Sequence, residues 1–347
     1  SLNFSVAFTD VDSLVGSIKL SESNFNWLCL LGMEPLRGGG QSISAEAQAG
    51  LTSQTYSINF LNPMIFDQQI RLGLASYIRE YRTVEFDRGQ MGGTMNISTR
   101  LIGDLWGSIG YRNERALITN VRDNVAQIIK DEDKEYTISA FNAVLSYDRR
   151  NNFSMPFAGY SIRLCEIVAD GDVLGQRAFT SSNFEFTYYL HTTDKIDDNN
   201  QKRYPLYFIF HVEGDAGFAY DGDSVPLTER YLTGGTSSVR GFKPNRLGPK
   251  DEEGHLYPGN FRIAGNLELN MPIINDTMYL APFVDAGYVW DDVKNYNIDD
   301  IRVSAGLTLK FRLPVLQNQP ILLTLAYPIR DRGDEIQRFS FSFVTAF

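Results

Sequence analysis

The chain has few of the residues that build metal and redox sites. Its 347 residues include only 2 cysteines and 3 histidines. Cys29 and Cys165 form no CxxC pair, so the sequence shows neither a zinc motif nor a dithiol redox motif. We interpret both cysteines as packing residues. The sequence therefore predicts no metal site and no cofactor.

Basic residues and long apolar runs are scarce as well. Lysine and arginine number 32 against 42 acidic residues, and the net charge of -10 argues against nucleic acid as the main partner. The densest apolar run, residues 27–33, is far shorter than the roughly 20 residues of a spanning helix. The lack of long apolar runs does not exclude a transmembrane β-barrel, because the strands of such a barrel are only half apolar. Residues 1–9 alternate and show no signal peptide, so we expect a mature or trimmed form if the protein is exported.

The chain is rich in aromatic residues, and its apolar and polar residues alternate with a period of two. It contains 23 Phe and 18 Tyr. In residues 43–51, Ile, Ala and Leu side chains alternate with polar residues and glycine, as in a strand with one apolar face. The pattern recurs in about sixteen segments. These are residues 1–9, 13–24, 40–51, 54–61, 69–80, 92–102, 104–113, 136–148, 159–168, 178–190, 205–220, 260–271, 278–290, 301–312, 321–328 and 336–347.

Alternation fits both a soluble sandwich and a membrane barrel, and three features favour the barrel. Ionisable residues lie deep within predicted strands, as at Glu213 and Glu268. Aromatic residues such as Tyr188, Tyr288 and Trp290 lie near strand ends on the apolar faces. Connections alternate between short and long. The sequence thus predicts an all-β fold, a single transmembrane antiparallel β-barrel of about 16 strands spanning residues 1–347.

Residues 221–259 form the longest stretch without alternation. This predicted loop contains apolar and glycine residues, which suggests that it packs, and the available place is the barrel lumen. The alternative is a glycine-rich surface loop.

Within this loop, residues 231–242 read YLTGGTSSVRGF. This stretch resembles the signature of the BamA superfamily of outer-membrane assembly and secretion proteins, and residues 245–249 match its BamA type. Residues 148–159 and 283–290 resemble a hairpin and a strand of the same family, so the resemblance covers essentially the whole chain. The signature residues are Gly234, Gly235, Val239, Arg240, Gly241 and Phe242.

The resemblance implies a loop folded into the barrel, with Arg240 held by carboxylates of the inner wall. Alternation points Glu268 and Asp285 inward, and a guanidinium fork suits carboxylates. We therefore expect Arg240 to contact one or both. Gly241 would allow close backbone approach, and Phe242 would anchor the loop. The alternative is that the two carboxylates are solvated by luminal water.

The resemblance also implies a seam between the first and last strands that opens, so that the first strand templates a client strand. Main-chain hydrogen bonds give such pairing its sequence tolerance, and no nucleotide is needed. The alternative is that both strands are permanently paired wall strands. The predicted seam residues are Leu2, Phe4, Val6, Phe8, Phe339, Phe341, Phe343, Val344 and Phe347.

Two departures from the family pattern affect these expectations. Val344 stands where many members carry a glycine, and a β-branched residue favours extended pairing. The first and last strands would then be paired more extensively, or the seam would open by another route. Family members also carry periplasmic POTRA domains before the barrel. These are absent from the 347 residues, and we expect them in the full-length protein.

The sequence therefore predicts a non-enzymatic assembly factor of the bacterial outer membrane. Its expected partners are outer-membrane lipids, unfolded β-barrel clients and accessory lipoproteins of an assembly complex, with no nucleic acid. The alternatives are a secretion pore of the two-partner or autotransporter-assembly type and, less favoured, a passive porin. A hydrolase would need a nucleophile beside a histidine, and no triad spacing supports one.

Overall fold

The computed structural model describes residues 1–9, 13–132, 134–153, 155–171, 174–196, 203–220, 224–275, 277–312 and 320–346. Sixteen strands form one antiparallel sheet that closes into a barrel, with each strand beside its neighbours in sequence and the last beside the first. The strands are β1 Leu2–Thr9, β2 Ser13–Phe25, β3 Gln41–Gly50, β4 Ser53–Asn62, β5 Ile70–Arg82, β6 Asp87–Ile102, β7 Leu105–Thr119, β8 Glu135–Asp148, β9 Gly159–Ala169, β10 Phe179–Ile196, β11 Arg203–Ala219, β12 Phe261–Ile274, β13 Met278–Trp290, β14 Arg302–Arg312, β15 Pro320–Arg330 and β16 Phe339–Ala346.

The helical segments are short. One α-helical turn, α1, spans Gln127–Lys130, and four 3₁₀ segments span Trp27–Leu31, Leu227–Glu229, Val293–Asn295 and Ile298–Asp300. None of the helices in the described ranges has the length and apolar character needed to cross a membrane.

The period of two places large apolar side chains on the outside of the barrel. Ile18 of β2, Ile109 of β7 and Leu267 of β12 are exposed, as are similar residues on many other strands. A water-soluble protein rarely exposes so much apolar surface, whereas a barrel in lipid turns its apolar faces outward. The predicted barrel of sixteen strands is confirmed, and the sandwich is not formed.

Several strands are longer than the alternation indicates. β6 begins at Asp87 rather than residue 92, β7 ends at Thr119 rather than 113, and β10 ends at Ile196 rather than 190. Glycines interrupt the apolar alternation near the start of β6, so the sequence pattern does not show where the strand begins. Gly92 is required there because a Cβ would lie 2.5 Å from the carbonyl oxygen of Asn113. Backbone pairing continues where the apolar pattern stops, because strand hydrogen bonds do not depend on side-chain type.

The predicted outward aromatic residues divide into two groups. Tyr188 is exposed as expected, but Tyr288 and Trp290 are buried. The Trp290 ring packs against Tyr296, and its indole N–H donates to Asp300 at 3.3 Å. Residues 291–301 therefore cover Trp290 at the end of β13, and the Tyr288 hydroxyl donates to the Gly248 carbonyl at 2.7 Å, so the expectation that these two aromatics lie on the open apolar face is wrong.

The long connections lie at one end of the barrel, where they build an apolar core inside the wall. Buried residues of β7, β8 and β10 meet α1 and the residues that follow β11. The core comprises Phe86, Ala116, Ile118, Val125, Ala126, Ile129, Tyr136, Ile138, Ala140, Ala169, Phe179, Val225 and Leu227. Val225 and Leu227, at the start of the loop that follows β11, belong to this core, which positions the loop.

Candidate functional site

The loop between β11 and β12 makes a tight turn before it reaches the wall. Gly234 and Gly235 both have positive φ, at 105° and 93°. A Cβ at Gly234 would lie 2.7 Å from the Lys243 carbonyl oxygen. The Gly234 N–H donates to Ser238 Oγ at 2.9 Å, and the Gly235 N–H donates to the Val239 carbonyl at 3.2 Å. These two glycines allow the backbone to fold back on itself, which aims the following residues at the wall.

The next residues pack into the barrel. Gly241 and Phe242 form a two-residue strand that pairs with Gln337 and Ile336. Gly241 has a φ of 94°, and a Cβ there would lie 3.2 Å from the Cβ of Ala326. Phe242 is fully buried in a cluster with Val239, Leu247, Ala264, Tyr288 and Trp290. The loop is therefore seated by close backbone approach and by an aromatic anchor.

Arg240 reaches the inner wall and contacts both predicted carboxylates. Its Nε and Nη2 donate to the two oxygens of Asp285 at 2.7 and 2.8 Å, and its backbone N–H donates to Asp285 Oδ2 at 3.0 Å. Its Nη1 donates to Glu268 Oε2 at 2.7 Å. The Asp285 contact is bidentate, which is the strong geometry for an arginine and a carboxylate.

The surroundings of Arg240 complete its pairing. Lys310 donates to the other oxygen of Glu268, and Asn270 donates to that oxygen at 2.9 Å. The Arg240 guanidinium carbon lies 3.5 Å from the centre of the Phe283 ring. Two cations, Arg240 and Lys310, thus face two buried carboxylates, and the cluster is neutral. Buried ions are tolerated when they are paired and hydrogen-bonded in this way.

A second set of contacts, which the sequence did not reveal, holds the start of the same loop. Glu229 accepts from Arg112 of β7 at 2.9 Å, and Thr228 shares a hydrogen bond with Tyr136 of β8 at 3.1 Å. The hydroxyl of Tyr231 lies 2.5 Å from that of Ser181 on β10. The loop is anchored to β7, β8 and β10 at its start and to β12–β14 at its tip, so it bridges the lumen.

The outer part of the loop is tied to other long connections. Lys250 donates to Asp334 at 2.6 Å, Arg246 pairs with Glu85, and Lys243 donates to Glu335 at 2.8 Å. The Lys243 ammonium lowers the pKa of the Glu335 carboxyl below its ordinary value of 4.5. These are ion pairs among loops, and at least the Lys243–Glu335 pair is well exposed to water.

In the described residues, β1 pairs with β16 over fewer positions than it does with β2. β1 pairs with β2 over eight residue pairs, from Leu2 to Thr9. With β16 it pairs over four, from Ser5 with Ala346 to Phe8 with Phe343. The first half of β16, Phe339–Ser342, pairs with β15 instead. In the described residues, the backbone of each half of β16 therefore pairs with one strand only.

The predicted seam residues lie as follows. Leu2, Phe4 and Phe339 are exposed on the barrel surface. Val6 pairs with Thr345, and Val344, the departure from the family pattern, pairs with Ala7. The rings of Phe8 and Phe341 lie 5.4 Å apart across the seam. Phe347 lies outside the described residues.

Comparison with known proteins adds to this geometry. The Omp85 superfamily domain matches residues 36–347. The outer membrane protein assembly factor BamA of Nitratidesulfovibrio vulgaris is 25% identical over 315 residues, which cover 88% of this chain and 38% of that protein. That of Neorickettsia risticii is 24% identical over 324 residues, covering 90% and 42%. The chain thus spans about two fifths of the length of the curated relatives it matches.

Solved structures show the same fold. BamA from Haemophilus ducreyi lacking POTRA domains 1–3 matches with a TM-score of 0.80 at 19% identity, over 100% of this chain and 70% of that one. CdiB from Acinetobacter baumannii matches with a TM-score of 0.57 at 14% identity, over 100% and 59%. At these identities the likeness concerns the fold alone.

Proposed function

The chain belongs to the Omp85 superfamily and is an outer-membrane β-barrel, and from this we propose that it is the barrel of an outer-membrane protein assembly factor. In this proposal it promotes the folding and insertion of client β-barrels through the seam between β1 and β16, without nucleotide and without enzymatic chemistry. Its partners are outer-membrane lipids, unfolded clients and accessory lipoproteins.

The observation that carries the proposal is the short seam. Over the described residues, β16 divides its pairing between β15 and β1, with four residue pairs to each. In hydrocarbon an unpaired backbone group has no water to bond, so a strand edge exposed there is strongly drawn to another strand. β1 contains no proline and can present a full row of donors and acceptors to a client strand.

The occupied lumen argues against a passive porin. The loop crosses the barrel between two sets of anchors, Arg240 with Asp285 and Glu229 with Arg112. An apolar core packs against the inside of the wall at the end where the long loops lie. Both narrow the lumen, and in this proposal a client route through the wall leaves them in place.

The test is client folding in liposomes. We expect an unfolded outer-membrane barrel to fold faster with the reconstituted protein than in protein-free liposomes of the same composition. In a background with Cys29→Ser and Cys165→Ser, a disulfide between Ala7→Cys and Val344→Cys locks the seam, because these positions pair across it. Oxidation should abolish the acceleration, and reduction should restore it.

The matched control ties the same residue to its other neighbour. Ala7 also pairs with Val15 of β2, so Ala7→Cys with Val15→Cys forms a cross-link that leaves the seam free. This variant should keep its activity when oxidised. Acceleration that survives the seam cross-link contradicts the seam route, and failure of the unmodified protein to accelerate folding contradicts the assembly function.

A further inference from the structure

The connection between β2 and β3 displays an unusual density of apolar side chains to its surroundings. Residues 27–36 read WLCLLGMEPL. Leu30 is 75% exposed and Met33 is 70% exposed, and Trp27, Leu31 and Leu36 are exposed as well. A turn in water is normally polar, so a run of this kind requires an explanation.

This segment is folded and held in place. The Asn26 side chain caps the 3₁₀ segment by accepting from the Leu28 N–H at 3.1 Å, and the Gln41 side chain accepts from the Trp27 N–H at 2.8 Å. The Asn26 N–H donates to the Leu36 carbonyl at 2.9 Å. The apolar side chains are thus presented by an ordered backbone.

The segment continues the lipid-facing surface of the barrel. Phe25, at the end of β2, is buried, and its ring packs edge-on against Phe60 of β4 at 6.3 Å. Phe60 shares its face of β4 with Tyr56 and Ile58, which are exposed on the outer surface. The apolar outer face of β4 therefore reaches the end of β2, next to which the segment begins.

Other short connections at the same end of the barrel share this character. Exposed large apolar residues lie in or beside the β4–β5, β6–β7, β8–β9 and β12–β13 connections. They are Met64, Phe66, Leu101, Ile102, Phe153, Ile273 and Ile274. Apolar groups distributed around a rim suit a plane such as a bilayer surface, whereas a protein partner would cover one contiguous patch.

We propose that residues 27–36 form a lipid anchor that lies in the boundary between headgroups and acyl chains, one strand away from the seam. Tryptophan favours this boundary, and apolar segments with charged neighbours lie in it. Glu22 and Arg37 beside the segment pair with each other at 2.7 Å, so neither enters the lipid unpaired. Glu34 within the segment is exposed, and a position at the headgroup boundary leaves its carboxylate in contact with water. The anchor fixes the height of β2, and through it β1, in the membrane.

Trp27 provides its own probe. In liposomes whose acyl chains carry bromine near the headgroup, we expect the emission of Trp27, taken as the difference between wild type and Trp27→Phe, to be largely lost. Aqueous iodide should quench it weakly. The measurement does not depend on client folding, so its failure is separate from failure of the assembly function.

Two further variants give the experiment its controls. Leu174 is exposed in the β9–β10 connection at the long-loop end, and Leu174→Trp in the Trp27→Phe background should be quenched by iodide and spared by brominated lipid. Leu30→Asp with Leu31→Asp should shift Trp27 emission to the red and remove its lipid quenching. If Trp27 in the unmodified protein is quenched by iodide and not by brominated lipid, the segment faces water or a protein partner, and the proposal is overturned.

Discussion

The luminal anchor of Arg240 and the seam between β1 and β16 are held together in opposite ways. Around Arg240, two buried carboxylates are matched by two cations, and Asp285 is 0% exposed. At the seam, the described residues of β1 pair with β16 at four positions, whereas β1 pairs with β2 at eight. The loop is thus fixed by charges that are costly to separate, whereas the seam is closed by a few backbone hydrogen bonds.

The largest expected effect comes from breaking the luminal anchor. Arg240→Ala leaves Asp285 and Glu268 buried with an incomplete set of partners, and loss of one member of a buried pair costs about 3–5 kcal/mol. We expect lower heat stability of the barrel, seen as earlier loss of its folded band in gel electrophoresis, and proteolytic nicking within residues 232–247. Arg330→Ala, which removes a surface pair with Asp299, is the control. Equal stability of the two variants would contradict the anchor.

A smaller effect is expected at the start of the loop. Glu229→Gln keeps the shape of the side chain but leaves Arg112 without its ion pair. The loss of a charged hydrogen bond at this half-buried site costs about 1–3 kcal/mol. Limited proteolysis with mass spectrometry should then find new cuts at residues 224–231 while the tip stays protected. Cuts confined to the tip would show that Glu229 does not hold the loop.

The seam can be weakened without touching the lumen. Val344→Gly replaces a strong strand former with a weak one, a change worth about 1 kcal/mol or less. Hydrogen exchange of residues 1–9 should become faster. Val212→Gly in β11, a strand paired on both sides, should leave exchange in residues 1–9 unchanged. If exchange of residues 1–9 is unchanged in Val344→Gly, the strand propensity of residue 344 does not determine how stably β1 and β16 are paired.

The smallest effect should come from acid at the surface loops. Because Lys243 lowers the pKa of Glu335, this pair stabilises the folded loops above the ordinary value of 4.5 and loses that contribution as the pH falls through the lower folded value. Hydrogen exchange of residues 331–338 should rise below pH 4.5 relative to Glu335→Gln, which lacks the ion pair at every pH. If exchange of residues 331–338 depends on pH in the same way in both proteins, the Lys243–Glu335 pair does not stabilise these loops.

The barrel could be predicted because the period of two is a local signal. The segment Ile43 to Leu51 shows one apolar face by itself. The same pattern recurs along the chain, and counting these segments gives the number of strands. Arg240, Glu268 and Asp285 could be placed together because the family resemblance located the arginine and alternation pointed the carboxylates inward.

Contacts across the lumen could not be predicted in the same way. Arg112 and Glu229 are separated by 117 residues, and nothing in either local pattern marks them as partners. The burial of Tyr288 and Trp290 could not be predicted for a related reason. Alternation gives the face of a residue, but not whether a loop covers it, as residues 291–301 cover Trp290 and Gly248 contacts Tyr288. Lys310, which completes the pairing of Glu268, was indistinguishable from any other inward polar residue.

The short pairing of Gly241 and Phe242 with Gln337 and Ile336 ties the arginine-bearing tip to the residues just before β16. The Lys243 N–H extends this link by donating to the Glu335 carbonyl at 2.9 Å. Only Arg338 separates the linked residues from the last strand. A displacement of the loop tip therefore acts directly on the residues that precede β16, so movement of the luminal loop and movement of the seam strand are coupled.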